Sequence, residues 1–413
     1  RMEAIGGTYD RWLLGAALAL AAIGVIMVAS ASVALAGDLT YYLKRHLVHL
    51  ALGAGLAIAA MKVELRKVEE FNKWLLIGCF VLLLLVMVPG LGHSVNGARR
   101  WVRLPGLGVF QMVEAVKVLY IVWLSSYLVR FADEVNATWL AMIKPVGVVG
   151  ITAGMLVLGG AQIKRMLLPI LLLLPPLAAL VILEPYRMRR VTSFMDPWAD
   201  QLGSGYQLTN ALMAIGRGEW TGVGLGASIQ KLNYLPEAHT DFIFSVLAEE
   251  TGFIGVCVVI ALLALLIGRA LWLGMQCVDQ RRHFSGYVAY GVALWLAMQA
   301  FISIGVNLGM LPTKGLTLPL ISSGGSSVMM TCVAVGLLLR VSWEYQRAVR
   351  RQSWRVAGGL DDAPAVPADE YEPAITPAPL SATAVAARMQ GGNAVRGTSR
   401  LQSRVEPSFG ELR

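Results

Sequence analysis

The stretch Leu235-Pro236-Glu237-Ala238-His239-Thr240-Asp241-Phe242 sets three ionisable side chains directly before a long apolar run, Phe242 to Gly268. A carboxylate at the mouth of a membrane segment is costly to bury and has either a task or a partner. Asp241 stands at that lip, where a water-soluble group and a lipid tail both have access. With Glu237 and His239 beside it, proton transfer is chemically feasible. Capping is the equally good alternative, because Asp241 or Thr240 can satisfy the first amides of the following helix.

Four further groups of residues have chemistry to offer. Asn96-Gly97-Ala98-Arg99-Arg100-Trp101-Val102-Arg103 combines three Arg and a Trp without an acid. Arg forks hold phosphate bidentately, and Trp suits a sugar face or the membrane interface; a positive-inside loop with an anchoring Trp would look the same. Glu114 and Lys117 share a helix face three residues apart, so they form either an ion pair that orients helices or the wall of a polar cavity. Glu184-Pro185-Tyr186-Arg187-Met188-Arg189-Arg190 is an anion-site candidate in a region expected outside the membrane, although long loops translocate despite their charge. Gly315-Leu316-Thr317-Leu318-Pro319-Leu320-Ile321-Ser322-Ser323-Gly324-Gly325-Ser326-Ser327 reads as broken or re-entrant backbone, which membranes tolerate only where it lines a cavity or is buried in protein. Small-residue helix packing is the plainer account of it.

The elements that position these groups are membrane helices. The 413 residues are 56% hydrophobic and only 15% charged, with net charge +9 and mean hydropathy +0.62; a soluble domain carries about 25% charged residues. Apolar runs of spanning length are Trp12 to Ala36, Tyr42 to Met61, Trp74 to Val88, Leu104 to Val129, Val146 to Ile163, Met166 to Leu183, Phe242 to Gly268, Tyr287 to Pro312 and Gly315 to Leu339. The expected fold class is therefore an all-α, polytopic helical membrane protein with about nine visible spans. The first run reads as a spanning helix and not as a cleaved signal peptide. Cys79, Cys257, Cys277 and Cys332 have no metal-like spacing and read as small core residues. No basic stretch is interleaved with aromatics in a soluble domain, which argues against nucleic acid as a partner.

Arg347, Arg350, Arg351 and Arg355 follow the last span, so that end is cytoplasmic. Residues 1–345 form the membrane domain. Residues 346–413 are read as a cytoplasmic tail, disordered from Val356 onward by composition. The loop from Arg269 to Gly286 is expected in the cytoplasm, and the long segment from about 185 to 241 outside. Single crossings throughout would leave Gly90 to Arg103 and Asp241 on opposite faces. One more crossing between Arg130 and Lys164 would bring them together and make Lys62, Arg66, Lys67 and Lys73 cytoplasmic, as the positive-inside rule prefers.

Read together, these groups resemble the SEDS family of peptidoglycan glycosyltransferases, and its division-type (FtsW) branch more than the elongation (RodA) branch. The matching pieces are Asn96 to Trp101, Phe110-Gln111 with Glu114 and Lys117, Glu184 to Arg187, Gly205-Tyr206-Gln207, Ala214 to Trp220 and Gly222 to Gly226. Gln230-Lys231, Tyr234 to Phe242 and Leu311 to Pro319 complete the set, which runs in order over roughly residues 10 to 345. Val113 departs from the usual Ser of that motif, and Ser323 from the usual Tyr. A family Pro-Asp-Phe-Gly motif is absent where it would fall, between about Lys144 and Gly159, which implies one span fewer than the family's ten. A gap, an anomalous connection or a re-entrant segment is therefore expected between Arg130 and Arg165.

The resemblance implies polymerisation of lipid II at the outer face of the bacterial inner membrane, at the division septum. Asp241 is the catalytic general base in that reading. The substrate-binding candidates are Arg99, Trp101, Glu114, Lys117, Arg187, Arg190, His239, Lys314 and Ser322. The implied partners are a class B penicillin-binding protein (an FtsI-type transpeptidase) and other divisome membrane proteins. A divalent cation, magnesium or manganese, is compatible with the pyrophosphate, but the sequence has no dedicated ligand cluster for it. The competing readings are a lipid II flippase, an elongation-type polymerase, and a structural scaffold of the division complex.

Overall fold

The computed structural model describes residues 8–32, 41–86, 88, 92–95, 98–104, 108–131, 196–203, 205–232, 234–313 and 315–356. Helix α1 spans Arg11–Ser32, α2 Tyr41–Lys62, α3 Leu65–Glu70 and α4 Asn72–Leu85. Strands β1 (Gly92–Val95), β2 (Ala98–Leu104) and β3 (Gly108–Gln111) follow, then α5 (Met112–Arg130). After the next described stretch come α6 (Tyr206–Gly218), α7 (Ile243–Asp279), α8 (His283–Asn307) and α9 (Gly325–Val356).

The helical membrane fold expected from composition is what forms. Five described helices, α1, α5, α7, α8 and the Gly325–Ser353 part of α9, are long and apolar enough to cross a bilayer. The 22 residues of α1 rise roughly 33 Å at 1.5 Å each, matched to about 30 Å of hydrocarbon. The expected runs Val146 to Ile163 and Met166 to Leu183 lie outside the described residues, as do the connection around Lys144 to Gly159 and the tail beyond Val356.

Three local readings change. The segment after α4 is an antiparallel meander in the order β1-β2-β3, with Trp101 opposite Gln111 and Val102 opposite Phe110. Pro105, Gly106 and Gly108 interrupt the run from Leu104, so α5 starts only at Met112. Glu114 therefore lies in its first turn, where a carboxylate complements the helix dipole. The cytoplasmic loop expected from Arg269 to Gly286 shrinks to a turn at residues 280–282. Helix α7 runs through Arg269 because that guanidinium bonds Asp10 (Nε–Oδ2 3.0 Å) and lies over the Trp272 ring, 4.2 Å from its centroid. Residues 311–313 and 315–324 are irregular and α9 begins at Gly325, so the broken-backbone reading of that segment holds up to Gly324.

The 37 residues of α7 would rise roughly 55 Å as one rod, too much for a bilayer. The helix breaks at Gly252, at φ 65° and ψ −166°, a region open to glycine and strained for other residues. The segment after α6 straps the break. Val223 and Gly224 N–H donate to the carbonyls of Glu249 and Glu250 at 2.9 and 3.1 Å. Phe253 and Ile254 N–H donate back to the carbonyls of Glu219 and Trp220 at 2.9 and 3.2 Å. The outer part, residues 243–250, is buried throughout, whereas Phe253, Ile254, Val258 and Ile260 beyond the break are exposed apolar side chains, as expected of a lipid-facing surface.

Polar contacts sort the ends of the helices into two faces. At the start of α1, Asp10 accepts from the Trp12 and Leu13 amides, bonds Arg269 of α7, and its own N–H donates to Ser342 Oγ of α9. Arg340 of α9 donates to the Met61 carbonyl at the end of α2, and Arg130 at the end of α5 donates to the Glu69 carbonyl of α3. These ends share one Arg-rich face, the one the sequence assigns to the cytoplasm. At the other end of α1, Ser30 Oγ bonds Glu250 of α7. The start of α5, with the β-meander that precedes it, therefore shares the outer face with the start of α7 and Asp241. This juxtaposition is the one the crossing argument required.

Candidate functional site at the outer face

Asp241 immediately precedes Phe242, the N-cap residue of α7, and its side chain is half-buried. Neighbouring elements hold its backbone from two sides. The Ser323 N–H donates to the His239 carbonyl at 3.0 Å, and Asn307 Nδ2 donates to the Asp241 carbonyl at 3.0 Å. No side-chain cap bond forms at the α7 N-cap, and Thr240 Oγ1 bonds Glu237 instead (2.7 Å to Oε2).

Gly315 comes against the carboxylate: a Cβ at this position would stand 2.8 Å from Asp241 Oδ2. Its loop is fastened by Gln299 of α8, whose Nε2 donates to the Thr317 carbonyl at 2.9 Å, and by Thr317 Oγ1 to Ser327 Oγ at 2.8 Å. Ser322 is fully buried and accepts from the Leu318 N–H at 2.7 Å, so it shapes this loop from inside. Lys314, next to Gly315 in the chain, lies outside the described residues, as do Arg187 and Arg190.

Because only a methyl group is added, Gly315→Ala is expected to leave the fold intact and push the carboxylate aside. Misplacing a reacting group by about 1 Å costs on the order of 10²-fold. Turnover of the purified variant should fall about 10- to 100-fold while its elution profile is unchanged. Wild-type turnover would mean that the carboxylate position is not the one that matters.

His239 is buried, with its ring 4.4 Å from that of Tyr42 at the outer end of α2. Burial pushes its pKa below the ordinary histidine value, with Arg45 adding to the fall and Glu237 opposing it, so the ring is neutral at pH 7. Among the described residues its Nδ1 has no hydrogen-bond partner, leaving a polar atom able to take one from a ligand.

Glu114 and Lys117 pair at 2.7 Å in the first turns of α5, with Lys117 4.9 Å from the centre of the buried Trp295 ring of α8. Trp101 and the backbone of Arg99 lie in β2, which leads through β3 into α5.

A second polar cluster escaped sequence reasoning. Glu249 and Glu250, both fully buried in α7, are each claimed by a basic residue. Arg217 reaches Glu249 at 3.1 Å, where the Ser228 hydroxyl and the Ile229 N–H also donate. Lys231 reaches Glu250 at 2.8 Å and Ser30 Oγ at 2.9 Å, and Ser30 donates to the same carboxylate. Two adjacent acids inside an apolar run must find partners, and Gln230-Lys231 upstream was the available signal.

Among the described residues no group of three or more His, Cys, Asp or Glu could hold a metal ion.

Comparison with known proteins agrees with this geometry. The family model described as "Cell cycle protein", FtsW/RodA/SpoVE, matches residues 11–158 and 146–347. Its two matches overlap over residues 146–158. A probable peptidoglycan glycosyltransferase FtsW of Xanthomonas oryzae pv. oryzae is 62% identical, with 100% of this chain and 92% of that protein covered. That alignment runs over 448 positions, 35 more than the 413 residues here. The corresponding Coxiella burnetii protein is 45% identical over 83% of this chain and 99% of its own. Among solved structures, a chain from a study of how a peptidoglycan synthase complex coordinates polymerization and crosslinking superposes with TM-score 0.64 at 29% identity, covering 82% of this chain and 98% of that one. The rod shape determining protein RodA of Thermus thermophilus superposes with TM-score 0.56 at 28% identity, covering 81% and 96%.

Proposed function

The chain belongs to the cell cycle protein family FtsW/RodA/SpoVE, and from that premise we propose that its outer-face site joins lipid II units with Asp241 as general base. The chain is a multi-pass membrane protein and a peptidoglycan glycosyltransferase of the division type. In the step proposed, the sugar 4-hydroxyl of one lipid II attacks the anomeric carbon of another. A C–O glycosidic bond forms, the bond to pyrophosphate breaks, and undecaprenyl pyrophosphate leaves. Asp241 takes the hydroxyl proton as the bond forms. Arg99, Arg187 and Arg190 would offset the charge growing on the leaving pyrophosphate, and Lys314 would lie beside them. Trp101 would lie against a sugar, and neutral His239 would accept from or donate to it through Nδ1. Glu114 and Lys117 would form one wall of the cavity, and Ser322 would support its loop.

The observation that carries this reading is the position of Asp241: a half-buried carboxylate at the outer face, with its backbone fixed by α8 and by the 315–324 loop. A flippase needs charge along a path through the membrane. Here Glu114 and Lys117 sit in the first turns at the outer end of α5 and neutralise each other. The proposed location is the bacterial inner membrane at the septum, and the proposed partner is a class B penicillin-binding protein of the FtsI type. The similarity to a chain from a complex that couples polymerization to crosslinking supports that partnership.

The test is topological. Single Cys probes at His93 and at Tyr234, which is exposed whereas Ala238 is not, are introduced into a background lacking the four native Cys. Both are expected to react with an impermeant maleimide from outside intact cells. Labelling of one from outside and the other only after lysis would separate the halves of the site and end this mechanism.

A further inference from the structure

Asn307, the last residue of α8, is fully buried and makes four hydrogen bonds. Its Nδ2 donates to the Asp241 carbonyl at 3.0 Å and to the Ser303 carbonyl of its own helix at 2.8 Å. Its Oδ1 accepts from the Ser245 N–H at 3.2 Å and from Ser245 Oγ at 2.8 Å. An amide offers two N–H donors and a carbonyl with two lone pairs, so its capacity is used in full. One amide group thus bridges the residue before the α7 N-cap and the first turn of α7 itself. That is the short stretch of backbone from which the Asp241 side chain projects.

We infer that Asn307 is a positioning residue for the glycosyl transfer, holding the Asp241 carboxylate in register through its backbone carbonyl. The inference rests on the proposed role of Asp241. The structural reason is that loop 234–242 has no sheet or helix ladder of its own. Its backbone is otherwise held by the Ser323 N–H on the His239 carbonyl and by turn bonds from the Thr240 and Phe242 N–H to the Glu237 carbonyl at 3.1 and 3.3 Å. Without Asn307 the Asp241 carbonyl loses its tie to α8, and the local turn bonds are left to set the tilt of its peptide while the rest of α7 stays packed. A reacting group must be held within about 0.5 Å of its productive place.

The experiment measures steady-state lipid II polymerisation by the full chain with its transpeptidase partner, for Asn307→Asp, Asn307→Ser and Ser245→Ala. Asn307→Asp keeps the size and the acceptor towards Ser245 but turns an oxygen on the Asp241 carbonyl. Asn307→Ser covers the case in which a buried charge prevents folding. The inference expects kcat to fall at least about tenfold with KM for lipid II within twofold. Ser245→Ala, which leaves the Nδ2 bond to Asp241 in place, should lower the unfolding temperature while kcat stays within twofold. The inference is overturned if the Asn307 variants keep wild-type kcat, if KM rises in step with the loss, or if Ser245→Ala loses as much kcat as they do. An active Asp241→Asn would instead remove the general-base reading, so the two failures are told apart.

Discussion

Asp241→Asn should abolish glycan polymerisation while leaving the protein folded, in the membrane and bound to its partner. The substitution preserves size and the backbone bonds of the loop, because Asn307 and Ser323 hold the carbonyls of residues 241 and 239 and do not depend on the Asp241 side chain. What disappears is the ability to accept a proton. Removing a general base costs about 10²–10⁴ in rate, equivalent to about 3–5 kcal/mol of transition-state stabilisation at 1.36 kcal/mol per factor of ten. A glycan gel resolves that loss. The same variant should bind lipid II with near wild-type affinity, since the carboxylate contributes to the reaction and not to holding the pyrophosphate. A loss of binding with turnover preserved at saturation would assign Asp241 to the substrate instead.

The second large effect belongs to the buried pair. Lys231 is 2% exposed and Glu250 is 1% exposed, so Glu250→Ala strands an ammonium group whose remaining partner among the described residues is the Ser30 hydroxyl. Breaking a buried ion pair from one side costs about 3–5 kcal/mol, whereas replacing both members by apolar groups of similar volume is often close to neutral. Glu250→Ala should therefore lower the unfolding midpoint sharply in detergent and reduce the folded yield. Lys231→Met with Glu250→Leu should recover most of the loss. The pair ties the outer end of α1 and the segment after α6 to α7, so the double variant should still polymerise lipid II if Asp241 alone carries the proton transfer. A single variant as stable as the wild type would mean the pair is solvated and structurally idle.

Much of this arrangement was legible in the chain. Composition and apolar runs revealed the membrane fold. The stretch Leu235 to Phe242 singled out the residues that meet the 315–324 loop at the start of α7. Gly315 to Gly324 read correctly as broken backbone, with Pro319 unable to donate to a helix ladder, whereas Gly325 to Ser327 open α9. What stayed hidden has local causes. The β-meander carrying Trp101 is too short for its period-two pattern to stand out beside long helical runs. Arg269 looked like a helix terminator because its partner Asp10 is more than two hundred residues away. Glu249, Glu250 and Lys231 were visible as charges but not as pairs, since contact order leaves no mark on sequence. Asn307 carries no signal at all, being an ordinary polar residue at a helix end. The two family matches overlap over residues 146–158, within the segment where the sequence left the count of spans least secure.

The most direct measurement follows fluorescent lipid II with purified protein in liposomes, together with its class B transpeptidase. Strand length is read on a gel, and transfer across the bilayer is read by quenching. The account predicts long uncrosslinked glycan strands and free undecaprenyl pyrophosphate from the wild type when the transpeptidase is blocked by a β-lactam, and neither from Asp241→Asn. Lipid II that crosses the bilayer unpolymerised, or strands of wild-type length from Asp241→Asn, would contradict it.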